Sequence, residues 1–332
     1  MSDHLAGGYD LAIFDLDGVV FLIDKPIPGA AEAVERLRAD GTSIAYATNN
    51  ASRRAADVAT LLTGMGVSAA PAEVLTSAGA AAALVAEQVE AGSPVLVVGA
   101  EALRAEIRDA GLTPVESAED APVAVVQGYG PEVGWKILSE AALAIRAGAT
   151  WYATNTDRTL PSPRGPLPGN GSLVAVIRTA LDREPDVVVG KPQPALFTTA
   201  ASLAGAERPL TIGDRLDTDI QGAVTAGMDS LLVLTGVSGP KDLLSAPAEC
   251  RPAFVAADLS GLFRPADRAV VSAAAVEGWT VTRDGDRAVL DGSGDPVDAL
   301  RLLCGVTWDG VPPANVTGNS AAATELLTTW GL

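Results

Sequence analysis

A single histidine is all the imidazole this chain has, and it stands at position 4 in a polar lead, MSDHLAGGYD. A Ser-His-Asp triad, a Cys-His pair, an HExxH zinc site and a histidine phosphocarrier each need a placed imidazole, so all four chemistries are excluded unless His4 supplies it. At the chain end, His4 reads as a frayed terminal residue. The two cysteines, Cys250 and Cys304, are too few for a zinc ribbon or a disulfide framework and read as reduced core thiols. Aromatic residues make up only 4% of the sequence, so the core has to be built from Ala, Val, Leu and Ile. Basic residues are also scarce, 23 Lys+Arg against 41 Asp+Glu, for a formal charge of −18. Such a surface repels polyanions, and Arg53–Arg54 is the only adjacent basic pair, so no nucleic-acid partner is expected. Long apolar runs are missing: PVLVVGA and SLLVLTG fall far short of the roughly 18 residues that a membrane span needs. The start has no basic segment followed by an apolar one, so a cytoplasmic protein without a membrane partner is expected. Whatever chemistry the chain performs rests on carboxylates, lysine, hydroxyls and a hard, oxygen-bound metal.

The 332 residues, 48% hydrophobic and 19% charged, have globular composition and suffice for two domains with a small third. Short β-branched runs alternate with Ala-rich helical stretches. Strands are expected at Leu11–Phe14, Ile44–Ala47, Val95–Val98, Val123–Val126, Trp151–Ala153, Val187–Val189, Leu210–Ile212 and Leu231–Leu234. A helix is expected from Gly29 to Ala39, and another over Arg53–Met65 with Ser52 as its N-cap and Gly66 after its end. This alternation predicts βαβ units with parallel sheets covered on both faces. Leu160–Gly171, rich in Gly and Pro, reads as a long structured loop. Past Gly261–Arg268 the texture changes: Trp279–Val281 and Ala288–Leu290 alternate as a hairpin does around Asp284-Gly285, and Val297–Cys304 reads as a helix. The acidic turn from Asp291 to Asp298 loosely resembles a calcium loop but lacks the spacing and closing Glu of an EF-hand, so it reads as a plain turn.

In open α/β sheets ligands bind beyond the carboxyl ends of the strands, and four chemistry-bearing groups sit there. Asp15-Leu16-Asp17-Gly18 puts two carboxylates at i and i+2 after a strand. One can attack phosphorus, the other can shuttle a proton, and Gly18 lets backbone N–H groups approach phosphate oxygens. Thr48-Asn49-Asn50 offers a hydroxyl and N–H groups before a helix N-terminus. Lys191, in Gly190-Lys191-Pro192, can neutralise an attacking carboxylate and a phosphoryl oxygen together, with Pro192 opening the next helix. Gly213-Asp214-Arg215-Leu216-Asp217-Thr218-Asp219 places Asp214 to bind a hard cation, with Asp219 in reach of the same ion. Taken singly, each group reads as well or better as something plainer: an acidic turn, a capping turn, a solvated lysine, a helix cap into which Asp217 and Thr218 fall.

Together, in the order nucleophile, hydroxyl, lysine, acid cluster, they resemble the four motifs of the haloacid dehalogenase (HAD) superfamily. Finer matches are Thr48-Asn49-Asn50-Ala51-Ser52, Ala153-Thr154-Asn155-Thr156-Asp157, Gly171-Ser172-Leu173 and Gly190-Lys191-Pro192. These resemble the NagD-like class IIA phosphatases, and among them the actinobacterial glycerol-3-phosphate phosphatases with a C-terminal extension. Two departures stand out: Val19, where many relatives have Thr, and Leu160, where pyridoxal-phosphate phosphatases carry a cap histidine. The segment from about residue 266 lies outside this resemblance. It is similar to part of an acetyltransferase-like (GNAT) fold and is too short to be a whole one.

The resemblance implies an α/β protein: a HAD-like doubly wound parallel-sheet core (residues 1–78 and 187–264), a class IIA α/β cap (79–186) and a small C-terminal α+β module (265–332) of unknown role. It implies Mg²⁺ held by Asp15, the carbonyl of Asp17, Asp214 and Asp219. Asp15 is the implied nucleophile that forms an aspartyl phosphate, Asp17 the acid and base, and Lys191 the charge partner. Gly18, Thr48, Asn49 and Asn50 are the implied phosphate binders, with Asn155, Asp157 and Arg158 toward the leaving group. Expected partners are a small phosphorylated metabolite, glycerol 3-phosphate first, with 2-phosphoglycolate or a broad range of sugar and nucleotide phosphates as the alternative, and a second copy of the chain in a homodimer. Two other classes stay open: a phosphotransferase or mutase that passes the phosphoryl group to a sugar, and a regulatory binding protein with a vestigial site.

Overall fold

The computed structural model describes residues 4–23, 25–271 and 276–332. The chain forms two compact units, one from residues 1–44 and 201–332, the other from residues 45–200.

In the first unit, Leu11–Phe14, Pro209–Gly213, Asp229–Val233 and Phe254–Ala256 lie side by side, all parallel. Leu11, Ile13, Phe14, Ile212, Leu231, Leu232 and Val233 are fully buried, as expected of strands covered on both faces. Phe14 pairs with Ile212, so Asp15 and Asp214 leave the sheet from the ends of adjacent strands. Helix Ala30–Ala39 follows Gly29, whose φ of 85° a side chain would resist, and buries Ala33, Val34 and Leu37.

The C-terminal residues belong to this same unit. Trp279–Asp284 and Arg287–Gly292 form the expected antiparallel hairpin, turning at Gly285 (φ 61°), and Val316–Gly318 adds a parallel third strand. Helix Pro296–Trp308 starts with a proline and is capped by Asp295, which accepts the Val297 N–H. Each acid of the Asp291–Asp298 turn has a structural partner: Asp291 takes Asn319, Asp295 caps the helix, and Asp298 pairs with the buried Arg301 at 2.7 Å. One apolar cluster joins Leu300, Leu303, Cys304, Val316 and Leu327 of this module to Leu216, Ile220, Leu232, Leu243, Leu244 and Val255. Both cysteines are buried free thiols.

In the second unit, five parallel strands run in the order Val187–Val188, Thr150–Ala153, Ala124–Gln127, Pro94–Val98, Thr113–Val115. The side-chain period of two sends alternate residues to opposite faces. Val95, Val97, Val126 and Tyr152 pack with helices Ser77–Gln88 and Glu101–Asp109; Leu96, Val98, Val125 and Trp151 pack with Trp135–Arg146 and Asn170–Leu181. Tyr46–Thr48 pairs in parallel with Val74–Thr76. Thr159–Leu160 and Leu167–Pro168 pair across the Gly/Pro-rich loop.

Several expectations need correction. Ser52 does not cap a helix: its N–H and hydroxyl both bond Asn50 Oδ1, and the helix runs Ala55–Gly64, with Asp57 accepting the Arg54 N–H. Pro192 does not open a helix either; Gln193 N–H closes a turn onto Gly190 O, and the helix begins at Ala195. His4 is not frayed. Its Nδ1 accepts the Gly7 N–H, its Nε2 lies 3.5 Å from Asp40, and its ring meets Phe263 edge-on. Among the strands without a sequence signal, Val74–Thr76, Thr113–Val115, Phe254–Ala256 and Val316–Gly318 are each three residues long, too short for a period to emerge. Among the described residues, no helix is long and apolar enough to cross a membrane.

Candidate active site

The acids come together in the first unit. Asp15, Asp214 and Asp219 each offer a carboxylate oxygen within 4.8 Å of the others. Asp15 is 9%, Asp214 0% and Asp219 1% exposed. Three like charges packed this closely repel strongly unless a cation or protons intervene. The donor set is oxygen alone, which suits a hard divalent cation such as Mg²⁺ and not zinc or copper. Asp17 contributes no carboxylate oxygen to this group; it is half-buried in the turn that follows, where its backbone bridges to Phe21.

Main-chain groups set these side chains. Asp15 N–H donates to Ile212 O at 2.8 Å, extending the strand pairing by one residue. Asp214 Oδ2 accepts the Val237 N–H at 2.7 Å, and its carbonyl accepts Ser238 N–H at 3.0 Å. Asp219 Oδ2 accepts Arg215 N–H at 3.1 Å across a single π-helical turn, Leu216–Ile220, of the kind that functional sites favour. Glycines make the room. A Cβ on Gly18, whose φ is 87°, would lie 2.5 Å from Asp214 Oδ2, and one on Gly236 only 1.9 Å from it. Asp217 turns away: it is 67% exposed and forms a two-point pair with Arg215.

The segment Thr235–Ser238 carries no motif that marks it in the sequence. Thr235 Oγ1 donates to Gly18 O at 2.6 Å, and Ser238 Oγ accepts Leu216 N–H at 3.0 Å. The signal that could have found it is its place: it directly follows strand Asp229–Val233, at a carboxyl end like the other four groups.

The lysine group assembles in the second unit. Lys191 is 2% exposed, and its Nζ donates to Ala47 O at 3.0 Å. Asn49 grips the Lys191 backbone on both sides, with Oδ1 accepting the N–H at 2.8 Å and Nδ2 donating to the carbonyl at 3.0 Å. The same Nδ2 lies 3.2 Å from both oxygens of Asp157. Asn155 Nδ2 and Ser77 Oγ both donate to Asn49 O, at 2.6 and 2.7 Å. Asn170 donates to Asn155 O at 2.7 Å, and Asn155 Oδ1 accepts the Asp157 N–H at 3.2 Å. Gly190 is obligatory here, because a Cβ would fall 2.4 Å from Asn49 Oδ1 and 2.5 Å from Thr154 O.

The expected phosphate contacts are therefore divided. Thr48, 3% exposed, accepts Asn50 N–H on Oγ1 at 3.1 Å and keeps its own proton to donate. Asn50 Oδ1 serves the turn with Ser52, and the side chain of Asn49 holds Lys191 and Asp157. Arg158 is exposed, and its carbonyl accepts from Ser172 Oγ and Gly169 N–H.

Residues 12–113 match the haloacid dehalogenase-like hydrolase family, and residues 188–262 match its HAD-hydrolase-like model. The D-glycerol 3-phosphate phosphatase of Mycobacterium tuberculosis is 41% identical over 343 aligned positions, covering 99% of this chain and 96% of that protein. The chain belongs to the haloacid dehalogenase-like hydrolases. Another relative, the acid sugar phosphatase of Staphylococcus epidermidis, is 34% identical over 76% of this chain and 96% of its own length. Among solved structures, the M. tuberculosis glycerol phosphate phosphatase in complex with magnesium superposes with a TM-score of 0.92 over 99% of both chains at 41% identity. The 4-nitrophenylphosphatase of Thermotoga maritima does so with 0.72 at 32% identity, over 78% of this chain and 97% of that one. Residues 277–332 match a GCN5-related N-acetyltransferase-like domain, in accord with the resemblance of the C-terminal segment to part of that fold.

Proposed function

We propose that this hydrolase is a Mg²⁺-dependent phosphatase that cleaves a small phosphate monoester, glycerol 3-phosphate before others, through an aspartyl phosphate on Asp15. The observation that carries this reading is the buried, oxygen-only cluster of Asp15, Asp214 and Asp219 at the ends of adjacent parallel strands. The choice of substrate is supported by the full-length relative from M. tuberculosis, a D-glycerol 3-phosphate phosphatase whose solved structure holds magnesium.

Asp15, the Asp17 carbonyl, Asp214 and Asp219 would hold the ion. When bound, Mg²⁺ supplies positive charge that offsets the repulsion between a carboxylate and a phosphate dianion. Asp15 then attacks phosphorus in line, and the alkoxide leaves on the opposite side. Asp17 gives the leaving oxygen a proton and later takes one from the water that splits the acyl phosphate. Lys191, desolvated and pinned by its backbone, balances charge on the transferring group, toward which Thr48 donates its hydroxyl. The Asn49 N–H completes the phosphate cradle, while the Gly18 and Asn50 N–H groups shape it by donating to Phe21 O and Thr48 Oγ1; Asp157, steadied by Asn155, stands on the leaving-group side. In this reading the core comprises residues 1–78 and 187–264, and the cap, residues 79–186, excludes water from the site and selects small substrates.

A panel of glycerol 3-phosphate, 2-phosphoglycolate, sugar phosphates and nitrophenyl phosphate, with kcat/KM for each, tests the substrate. Glycerol 3-phosphate should lead; a higher value for 2-phosphoglycolate overturns that choice but not the chemistry. Excess EDTA should silence the enzyme and Mg²⁺ restore it. Full turnover in metal-free buffer, or release of phosphate only when a sugar acceptor is added, would overturn the mechanism.

A further inference from the structure

The C-terminal module has no part in the chemistry above, yet it is built into the same unit as the carboxylates. We propose that it is a brace for the cation site, acting on Asp214 through the segment 235–244. This rests on the reading of Asp15, Asp214 and Asp219 as ligands of a divalent cation.

Residues 235–238 hold the two acid loops by four hydrogen bonds: Thr235 Oγ1 to Gly18 O, Val237 N–H to Asp214 Oδ2, Ser238 N–H to Asp214 O, and Leu216 N–H to Ser238 Oγ. Gly236 lies against Asp214 Oδ2, so a small shift of this segment moves that carboxylate. The chain runs straight on into helix Pro240–Leu244, a little over one turn long. So short a helix has no stability of its own, because the cost of nucleation is not recovered in five residues. The module supplies what it lacks. Leu243 and Leu244, 0% and 2% exposed, are buried in the cluster with Leu300, Leu303 and Cys304. Trp308 Nε1 donates to Leu243 O at 2.9 Å, and Lys241 Nζ donates to Gly331 O at 3.0 Å. Leu216 and Ile220, which flank the turn carrying Asp219, lie in the same cluster. Relatives that match only about three quarters of this chain are phosphatases too. The chemistry as such therefore does not require the module; what is proposed is that in this chain the short helix, with Leu243 and Leu244 buried in that cluster, depends on it.

The test uses full-length protein. Trp308→Phe removes one donor and keeps the ring, Trp308→Phe with Lys241→Met removes both pins, and Leu303→Ala opens the cluster. Ile177→Val, in the apolar core of the other unit, serves as a control for stability alone. Mg²⁺ binding is read by calorimetry, alongside the thermal midpoint, kcat and KM. The module variants should bind Mg²⁺ about three- to tenfold more weakly, below the 10–100-fold cost of losing a group that touches a metal ligand directly. At saturating Mg²⁺, kcat and KM should stay within about twofold, since no reacting group is altered. The control should lower the midpoint and leave Mg²⁺ affinity unchanged. Module variants that lose midpoint but bind Mg²⁺ like the unaltered protein overturn the brace. An unaltered protein that binds no Mg²⁺ overturns the cation site itself, a separate and recognisable failure.

Discussion

In the unit of residues 1–44 and 201–332, the acids are held by main chain; in the unit of residues 45–200, the lysine is held by side chains. Asp214 and Asp219 each receive a backbone N–H from within about two dozen residues of themselves, and glycines at 18 and 236 let that backbone close in. Lys191 is gripped through its own backbone by an asparagine 142 residues earlier, which is steadied in turn by Ser77 and Asn155. The difference follows from the groups. A carboxylate only accepts, and any turn offers backbone donors. An ammonium only donates, and needs a carbonyl within reach, here that of Ala47. Its position must then be fixed by a group that both donates and accepts, and the amide of Asn49 does so as a neighbouring strand would.

The most severe way to break this contrast is Asp15→Asn. Turnover should fall by about 10⁴–10⁶-fold, the scale of losing a nucleophile. The metal-free thermal midpoint should hold or rise, because one of three crowded charges is gone. An active Asp15→Asn protein would falsify the assignment. Next is Lys191→Met, which keeps the length and loses the charge; kcat should drop about 10²–10³-fold, as when an electrostatic stabiliser is removed. Mg²⁺ affinity should be untouched, which separates the lysine group from the acid cluster. Asn49→Ala should cost about 10²-fold in kcat by letting Lys191 drift. Asn49→Asp keeps the acceptor for the Lys191 N–H, loses the donor to its carbonyl and faces Asp157, so it should rescue little; recovery of full activity would remove Asn49 from its positioning role. The mildest is Asp217→Ala. That acid is exposed and paired only at the surface, so activity should stay within about twofold and stability within ~1 kcal/mol.

Much of this was legible along the chain. Strand cores such as Leu11–Phe14, Val95–Val98 and Leu210–Ile212 are continuous apolar runs, and a buried parallel strand can be written in no other way. Asp15 and Asp214 stood out because a charge directly after such a run must lie at the sheet's edge. The edge strands of three residues did not stand out, because so short a stretch carries no period. Ser52 looked like a cap because its hydroxyl suits one; Asn50, two residues away, claims it first. His4 looked loose because it sits near the chain's start, but Phe263 and Asp40, far along the sequence or on another element, give it a seat.

The order of hydrophobic runs, helices and strand-end acids already determined a parallel α/β protein with hard-oxygen chemistry, because period, propensity and carboxylate spacing are local properties of a chain. That Asn49 would spend its amide on Lys191, that Thr235–Ser238 would hold the acids, and that the last helices would share a core with Leu243 and Leu244 was decided only by tertiary structure. Each depends on which distant groups meet in a space closed to water, where every donor and acceptor needs a partner and no single stretch of sequence names it.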